Sequence, residues 1–324
     1  MNKEDEAAER RRRRYGSIVE TIDVDLRRML IKDYAIPAKI PDDGYLSVFL
    51  DEMLPHYDFH QAVDDLLYGV GSLGRDDFVQ SASKFPVRTA VKIAETDVYK
   101  KFSSEGGPAP GTLLPHMPPK NLFVPENAGS DFIGIDIIKA NFSVVAHYAP
   151  EVVGGHLEYE DFARDYTDLD YVVNCKRMRQ VLFGNLNPKR IRSLVKGAMI
   201  RAATHLQDTG LPWNRWATCS DDEMVVKGGI SSHDIFMCLE EFSAREMPAI
   251  RFRVEPFWLF RLPDSTCYYK QYSDGRIKLK NTPAHLFMQA YKKIVGLPLY
   301  ERDLSFIFED EIAVLKHPKW SASG

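Results

Sequence analysis

The chain has 324 residues, 44% of them hydrophobic, enough to bury at least one full-sized core and to fold as two or three coupled subdomains. A formal net charge of -4 excludes a molecule that gathers nucleic acid through its global field, so any such binding has to come from local basic patches. The apolar runs, such as residues 132–138, fall far short of the roughly 20 residues that cross a bilayer, which excludes a membrane-spanning helix.

Residues 1–14 are almost wholly charged and end in five consecutive arginines, a composition that predicts a flexible tail, either simply solvated or serving nuclear import or nucleic-acid binding. No apolar signal core is legible there. Cys175, Cys219, Cys238 and Cys267 form no CxxC pair. Together these features predict an intracellular protein, cytoplasmic or nuclear, without membrane partners, zinc ribbon or disulfide scaffold.

Across residues 15–120 the apolar positions recur mainly at helical spacing: Ile18, Ile22, Leu26 and Leu30, then Phe49 and Met53, then Val63, Leu66 and Leu67. This predicts a mainly helical accessory region. Gly69-Val-Gly71-Ser-Leu-Gly74 spells a dinucleotide-binding fingerprint, but residues 63–68 read as helix where the fingerprint needs a strand, so a loop is expected. His56 and His60 stand four apart, yet Pro55 and the lack of a third ligand point to a structural role. The Gly- and Pro-rich stretch 103–119 predicts a long loop or boundary.

Residues 121–262 carry the central elements. The apolar run at 132–138, interrupted only by Gly134 and Asp136, predicts a strand in the middle of a sheet. Helical patterns follow at 159–164, 172–182 and 191–206, with Pro188 suited to the first turn of the last. Strands at 216–219 and 224–227, separated by Ser220, Asp221, Asp222 and Glu223, predict a hairpin with an acidic turn. Ser231 or Ser232 can cap a helix whose apolar face is Ile235, Phe236, Leu239 and Phe242. Ile250, Phe252 and Val254 then alternate with Arg251, Arg253 and Glu255, predicting a half-exposed strand. In the remaining region, 263–320, Lys270, Arg276, Lys278 and Lys280 lie among aromatics, as expected of a nucleic-acid grip or of an ordinary exposed hairpin.

An aspartate inside an apolar strand is costly to desolvate and calls for a cation or a metal ion beside it. If the acidic hairpin neighbours that strand, Asp136, Asp221 and Asp222 converge as hard oxygen ligands suited to Mg²⁺ or Mn²⁺ and to two-metal phosphoryl transfer. Aspartate pairs also stand at 42–43, 64–65 and 76–77, so only the apolar flanks and the upstream aspartate distinguish Asp221-Asp222. Between the acids runs a basic stretch, Lys176, Arg177, Arg179, Lys189, Arg190, Arg192, Lys196 and Arg201, with no Asp or Glu from 176 to 201. Lys176 and Arg179 share a helix face and are candidates for holding a triphosphate. Lys189, Arg190 and Arg192 are candidates for a nucleic-acid backbone; a solvated basic helix is the alternative. Lys227 could donate a proton to pyrophosphate or be a solvated charge on the hairpin.

Asp136-Ile-Ile-Lys-Ala-Asn-Phe-Ser-Val144 resembles the first catalytic motif of reverse transcriptases, and Cys219-Ser-Asp-Asp222 resembles their YxDD turn. The same stretch resembles family A DNA polymerases, with Asp136 through Ala146-His147 matching their first motif, Asp221-Asp222-Glu223 their HDE, and Arg179 with Phe183-Gly184 their fingers helix. Lys139 and Asn141 depart from both patterns. The resemblance implies an α+β, right-hand polymerase-like palm, an antiparallel sheet backed by helices, over 121–262. The flanking 15–120 would be fingers or accessory region and 263–320 thumb-like.

It further implies two-metal nucleotidyl transfer from an NTP or dNTP to a primer or nascent strand, with Glu223 joining the metal set and Asn141 beneath the ribose. The implied partners are template and primer, nucleoside triphosphates and a larger replication or transcription assembly; a viral or mobile-element origin is compatible. Two alternatives stay open: a non-catalytic nucleic-acid-binding or structural protein with a degenerate palm, and a metal-dependent phosphodiesterase.

Overall fold

Helical spacing in the N-terminal third is realised as α1 (Val24–Asp33), α2 (His60–Leu73), α3 (Arg75–Glu95) and α4 (Asp97–Ser104). The computed structural model describes residues 22–37, 46, 49–50, 52–53, 59–105, 121–308, 311–316 and 319–320; the arginine-rich tail, His56 and most of the Gly- and Pro-rich stretch lie outside them. Gly69 and Gly71 sit within α2 and do not form the expected loop. Val63 and Leu66, at 1% and 0% exposure, anchor the helix and outweigh the roughly 1 kcal/mol that each glycine costs. Gly74, at φ 79°, ends it in a conformation that a side chain would strain.

The chain divides into two units, one of residues 1–79, 261–270 and 274–324 and the other of 80–260 and 271–273. The division falls inside α3.

The next elements in chain order are β1 (Ser130–Ile137), α5 (Ala140–Tyr148), α6 (Tyr159–Arg164), α7 (Asp170–Asn174), α8 (Lys176–Gly184) and α9 (Pro188–Asp208). The single helix expected at 172–182 is two, because Cys175 adopts an extended backbone and its sulfur accepts the Met178 N–H as a cap. Then come β2 (Trp216–Cys219), β3 (Glu223–Lys227), α10 (Ser232–Glu246) and β4 (Phe252–Arg261). Ser231 caps α10, accepting from the Asp234 N–H at 3.2 Å. Ile235, Leu239 and Phe242 are buried as expected, while Phe236 is 37% exposed. The strands β5 (Tyr268–Tyr272) and β6 (Ile277–Lys280) complete a six-stranded antiparallel sheet of order β2-β3-β1-β4-β5-β6.

Strand periodicity gives the sheet its two faces. Ile133, Ile135 and Ile137 with Met224, Val226 and Phe252 are all buried on one face. That face is backed by helices: α9 packs on β3, α5 and α10. Its stripe of Leu194, Val195, Ala198, Ala202 and Ala203 is buried, and the alanines let the helix come close. Phe142, Tyr159, Phe162 and Phe183 form an aromatic cluster with ring centroids 5.8 to 6.5 Å apart.

The first unit also holds α11 (Phe287–Val295) and the hairpin β7 (Ser305–Phe308) with β8 (Glu311–Val314). Its apolar centre is Leu262, Cys267, Ala290 and Trp320. Within it Lys292 is 1% exposed, and its ammonium pairs with Asp303 at 2.7 Å and Glu52 at 3.0 Å and lies over the Tyr300 ring at 4.7 Å. Among the described residues no helix is long and apolar enough to cross a membrane.

Candidate functional site

The position of β1 between β3 and β4 decides the site. The β1–β3 register sets Asp136 opposite Glu223, and the β1–β4 register sets it opposite Arg253. Directly opposed residues point to the same face, here the one turned away from the helices. The β2–β3 turn, Ser220 to Asp222, lies beside the end of β1, since the Ile137 N–H points to the Asp222 carbonyl at 3.4 Å. The sequence-predicted acids Asp136, Asp222 and Glu223 are thereby brought to one end of the sheet, next to solvent.

Asp136 is half-buried, and the compensating cation its position demanded is Arg253, whose Nη2 donates to Oδ2 at 2.7 Å. Burial nonetheless holds the carboxyl above the usual aspartate range; Arg253 opposes this, and the charges of Asp222 and Glu223 add to it. Asp221 turns to α9 instead, where the Arg192 Nε donates to it at 2.5 Å. Asp222 therefore, and not Asp221, is the turn aspartate whose charge bears on Asp136. Among the described residues no group of three or more His, Cys, Asp or Glu side chains is arranged to hold a metal ion. What the arrangement does provide is crowded negative charge with Arg253 beside it.

A raised pKa means that ionising Asp136 costs the fold. Its stabilising contribution is full below the unfolded value near 3.8 and is lost as pH rises through the higher folded value. Asp136→Asn is therefore expected to raise the metal-free melting temperature at neutral pH and to flatten its fall as pH rises above the ordinary aspartate range. Melting curves from that range up to neutral pH check it; a lower neutral-pH melting temperature for the variant would contradict the electrostatic assignment.

The predicted phosphate contacts separate into different groups. Lys176 is exposed at the start of α8, but Arg179, one turn on, is half-buried over the Tyr159 ring at 5.2 Å. Burial lowers the Arg179 pKa, with Tyr159 and Glu160 opposing the shift. Asn141 is half-buried in the first turn of α5. Lys189 and Arg192 are exposed on α9.

Arg190 is not available as a backbone contact. Its side chain is 9% exposed, stacks on Phe102 at 4.5 Å and pairs with Glu105 at 3.1 Å. Lys227 stands opposite Phe132, at the far end of β3 from Glu223 and roughly 13 Å along the strand, which removes it from the acids and leaves the solvated-charge reading. Lys270 is 3% exposed, which corrects its assignment to a nucleic-acid surface, whereas Lys278 is exposed.

Three residues that the sequence reading left outside the site belong to it. Arg253 appeared only as the outward half of an alternating strand, and that alternation was the available signal for a partner to Asp136. Lys139, at φ 53° just after β1, pairs with Glu158 at 3.3 Å and with Glu160. Arg251 donates to Glu158 at 2.6 Å, and its carbonyl accepts the Ile138 N–H at 2.9 Å. Comparison with protein-family models, with curated proteins and with solved structures returned no match.

Proposed function

We propose that the chain is a palm-type nucleotidyltransferase that extends a nucleic-acid strand from nucleoside triphosphates. The observation that supports this best is the register that sets Asp136 of the central strand opposite Glu223 and beside the Asp221-Asp222 turn. Carboxylate oxygens are hard ligands, and the charge that Asp222 and Glu223 impose on Asp136 is the field a divalent cation relieves. In this reading Asp136, Asp222 and Glu223 hold Mg²⁺ or Mn²⁺, with Asp221 released from Arg192 to join them. The bound ions would supply Lewis-acid stabilisation of the attacking and leaving oxygens.

The chain's own contribution is to orient. Arg253 holds Asp136 in place between substrates, Lys176 and Arg179 receive the triphosphate, and Asn141 lies beneath the ribose. Lys189, Arg192 and Lys278 contact the nucleic-acid backbone. The test is incorporation of labelled NTPs or dNTPs on assorted primer-templates with Mg²⁺ or Mn²⁺, with Asp136→Ala in parallel. Loss of a labelled end without incorporation would assign the same acids to phosphodiester cleavage.

A second reading, a nucleic-acid-binding palm without catalysis, is favoured by the two arginines that already neutralise Asp136 and Asp221. It predicts metal-independent binding. In either reading Arg192→Ala is expected to reduce the slope of log K against log salt by about 1 with little change in melting. Arg190→Ala is expected to cost on the order of 1–2 kcal/mol of stability and to leave that slope unchanged. A salt titration of binding and a denaturation curve for each variant check the pair.

A further inference from the structure

At the acid end of β1 a second constellation surrounds the segment 158–160. Lys139, three residues beyond Asp136, gives its ammonium to both Glu158 and Glu160, and Arg251 gives its guanidinium to Glu158. Arg179 sits over the Tyr159 ring between these glutamates and, among the described residues, makes no ion pair. The Tyr159 side chain is 0% exposed, and its hydroxyl has no hydrogen-bond partner among the described residues. Two cations thus share two carboxylates, and a third cation over the ring and a buried hydroxyl donor are left over. Buried polar groups without partners are rare and ask for a ligand or a water.

The two carboxylates stand one residue either side of Tyr159 and both meet Lys139, and Glu158 also bridges it to Arg251, far away in sequence, as the oxygens of a phosphate would. Lysine is a compact charge on a flexible stem with three rotatable donors, able to exchange one oxyanion for another without moving the backbone. Ion pairs with carboxylates this exposed contribute little net stability, so little is lost in the exchange. We infer that Lys139 is a phosphate-binding residue of the nucleoside-triphosphate site, and that Glu158 and Glu160 are the internal acids it exchanges for the substrate's phosphates. This rests on the nucleotidyltransferase reading above and adds to it a binding residue and an intramolecular competitor.

The test uses the sign of two substitutions in equilibrium binding of a fluorescent, non-hydrolysable nucleoside triphosphate to the full chain in Mg²⁺. Lys139→Asn removes the charge with a residue that tolerates the left-handed backbone; it is expected to weaken binding at least about tenfold, while Lys139→Arg retains it. Glu160→Gln removes the competitor and is expected to tighten binding about threefold or more. A structural ion pair would behave otherwise, since losing either partner would then weaken binding and lower the melting temperature alike.

Weakening by both Lys139→Asn and Glu160→Gln overturns the inference. So does unchanged binding by both in a chain whose wild type binds and incorporates nucleotide, in which case the nucleotidyltransferase reading stands. A wild type that neither binds nor incorporates overturns both.

Discussion

Asp136→Ala is expected to reduce metal-dependent nucleotide incorporation on the order of a thousandfold or more. On the nucleotidyltransferase reading, several kcal/mol of transition-state stabilisation would pass through the ion that this carboxylate would help to hold, and each 1.4 kcal/mol or so is a factor of ten. The variant also leaves Arg253 without its 2.7 Å partner, so its fold is verified by melting before activity is compared. The two turn aspartates should differ in rank. Asp222 presses its charge on Asp136 while Asp221 is engaged by Arg192, so Asp222→Ala is expected to cost more than Asp221→Ala. Single-nucleotide incorporation rates for the three variants provide the measurement; equal activity in wild type and Asp136→Ala, or none in either, defeats the assignment.

The second large effect concerns stability. Lys292→Met is expected to destabilise the first unit by about 3–5 kcal/mol, because it leaves Asp303, itself 4% exposed, and Glu52 as acids without their shared cation. The neighbouring Arg302, 3.1 Å from Glu52, limits the loss at that acid only. The penalty comes from the stranded charge and not from the missing attraction, so a second substitution, Asp303→Asn, should recover part of it. The double variant is then expected to be more stable than the sum of the singles allows. Denaturant titrations of the four proteins decide this; simple additivity would show that the pair is not coupled.

What was legible in the sequence is what local pattern controls. The buried central strand, the acidic hairpin and the alternating strand that includes Glu255 follow from apolar runs and period-two spacing, while the pairing of β1 with β3 that brings Asp136 to the turn was only a condition in the sequence. The missing parts depend on partners remote in the chain. Arg190 reads as a phosphate contact until Phe102 and Glu105 take it, and Lys270 reads as an exposed grip until its strand turns it inward. Lys139 counted only as a departure from an acidic pattern, because its role depends on glutamates 19 and 21 residues further on. The boundary inside α3 has no composition signal, since the helix itself is continuous.

The strand order has a consequence for how the protein is made. Because β1 is hydrogen-bonded on both sides to strands synthesised much later, with Arg253 lying 117 residues beyond Asp136, the acid end has no local nucleus. Closing such long loops is slow and comes late in folding. A nascent chain still threaded in the ribosome therefore carries Asp136 as an unpaired edge. Arrest or premature termination anywhere before β4 leaves a sticky β-element, the kind of surface that aggregates or recruits chaperones.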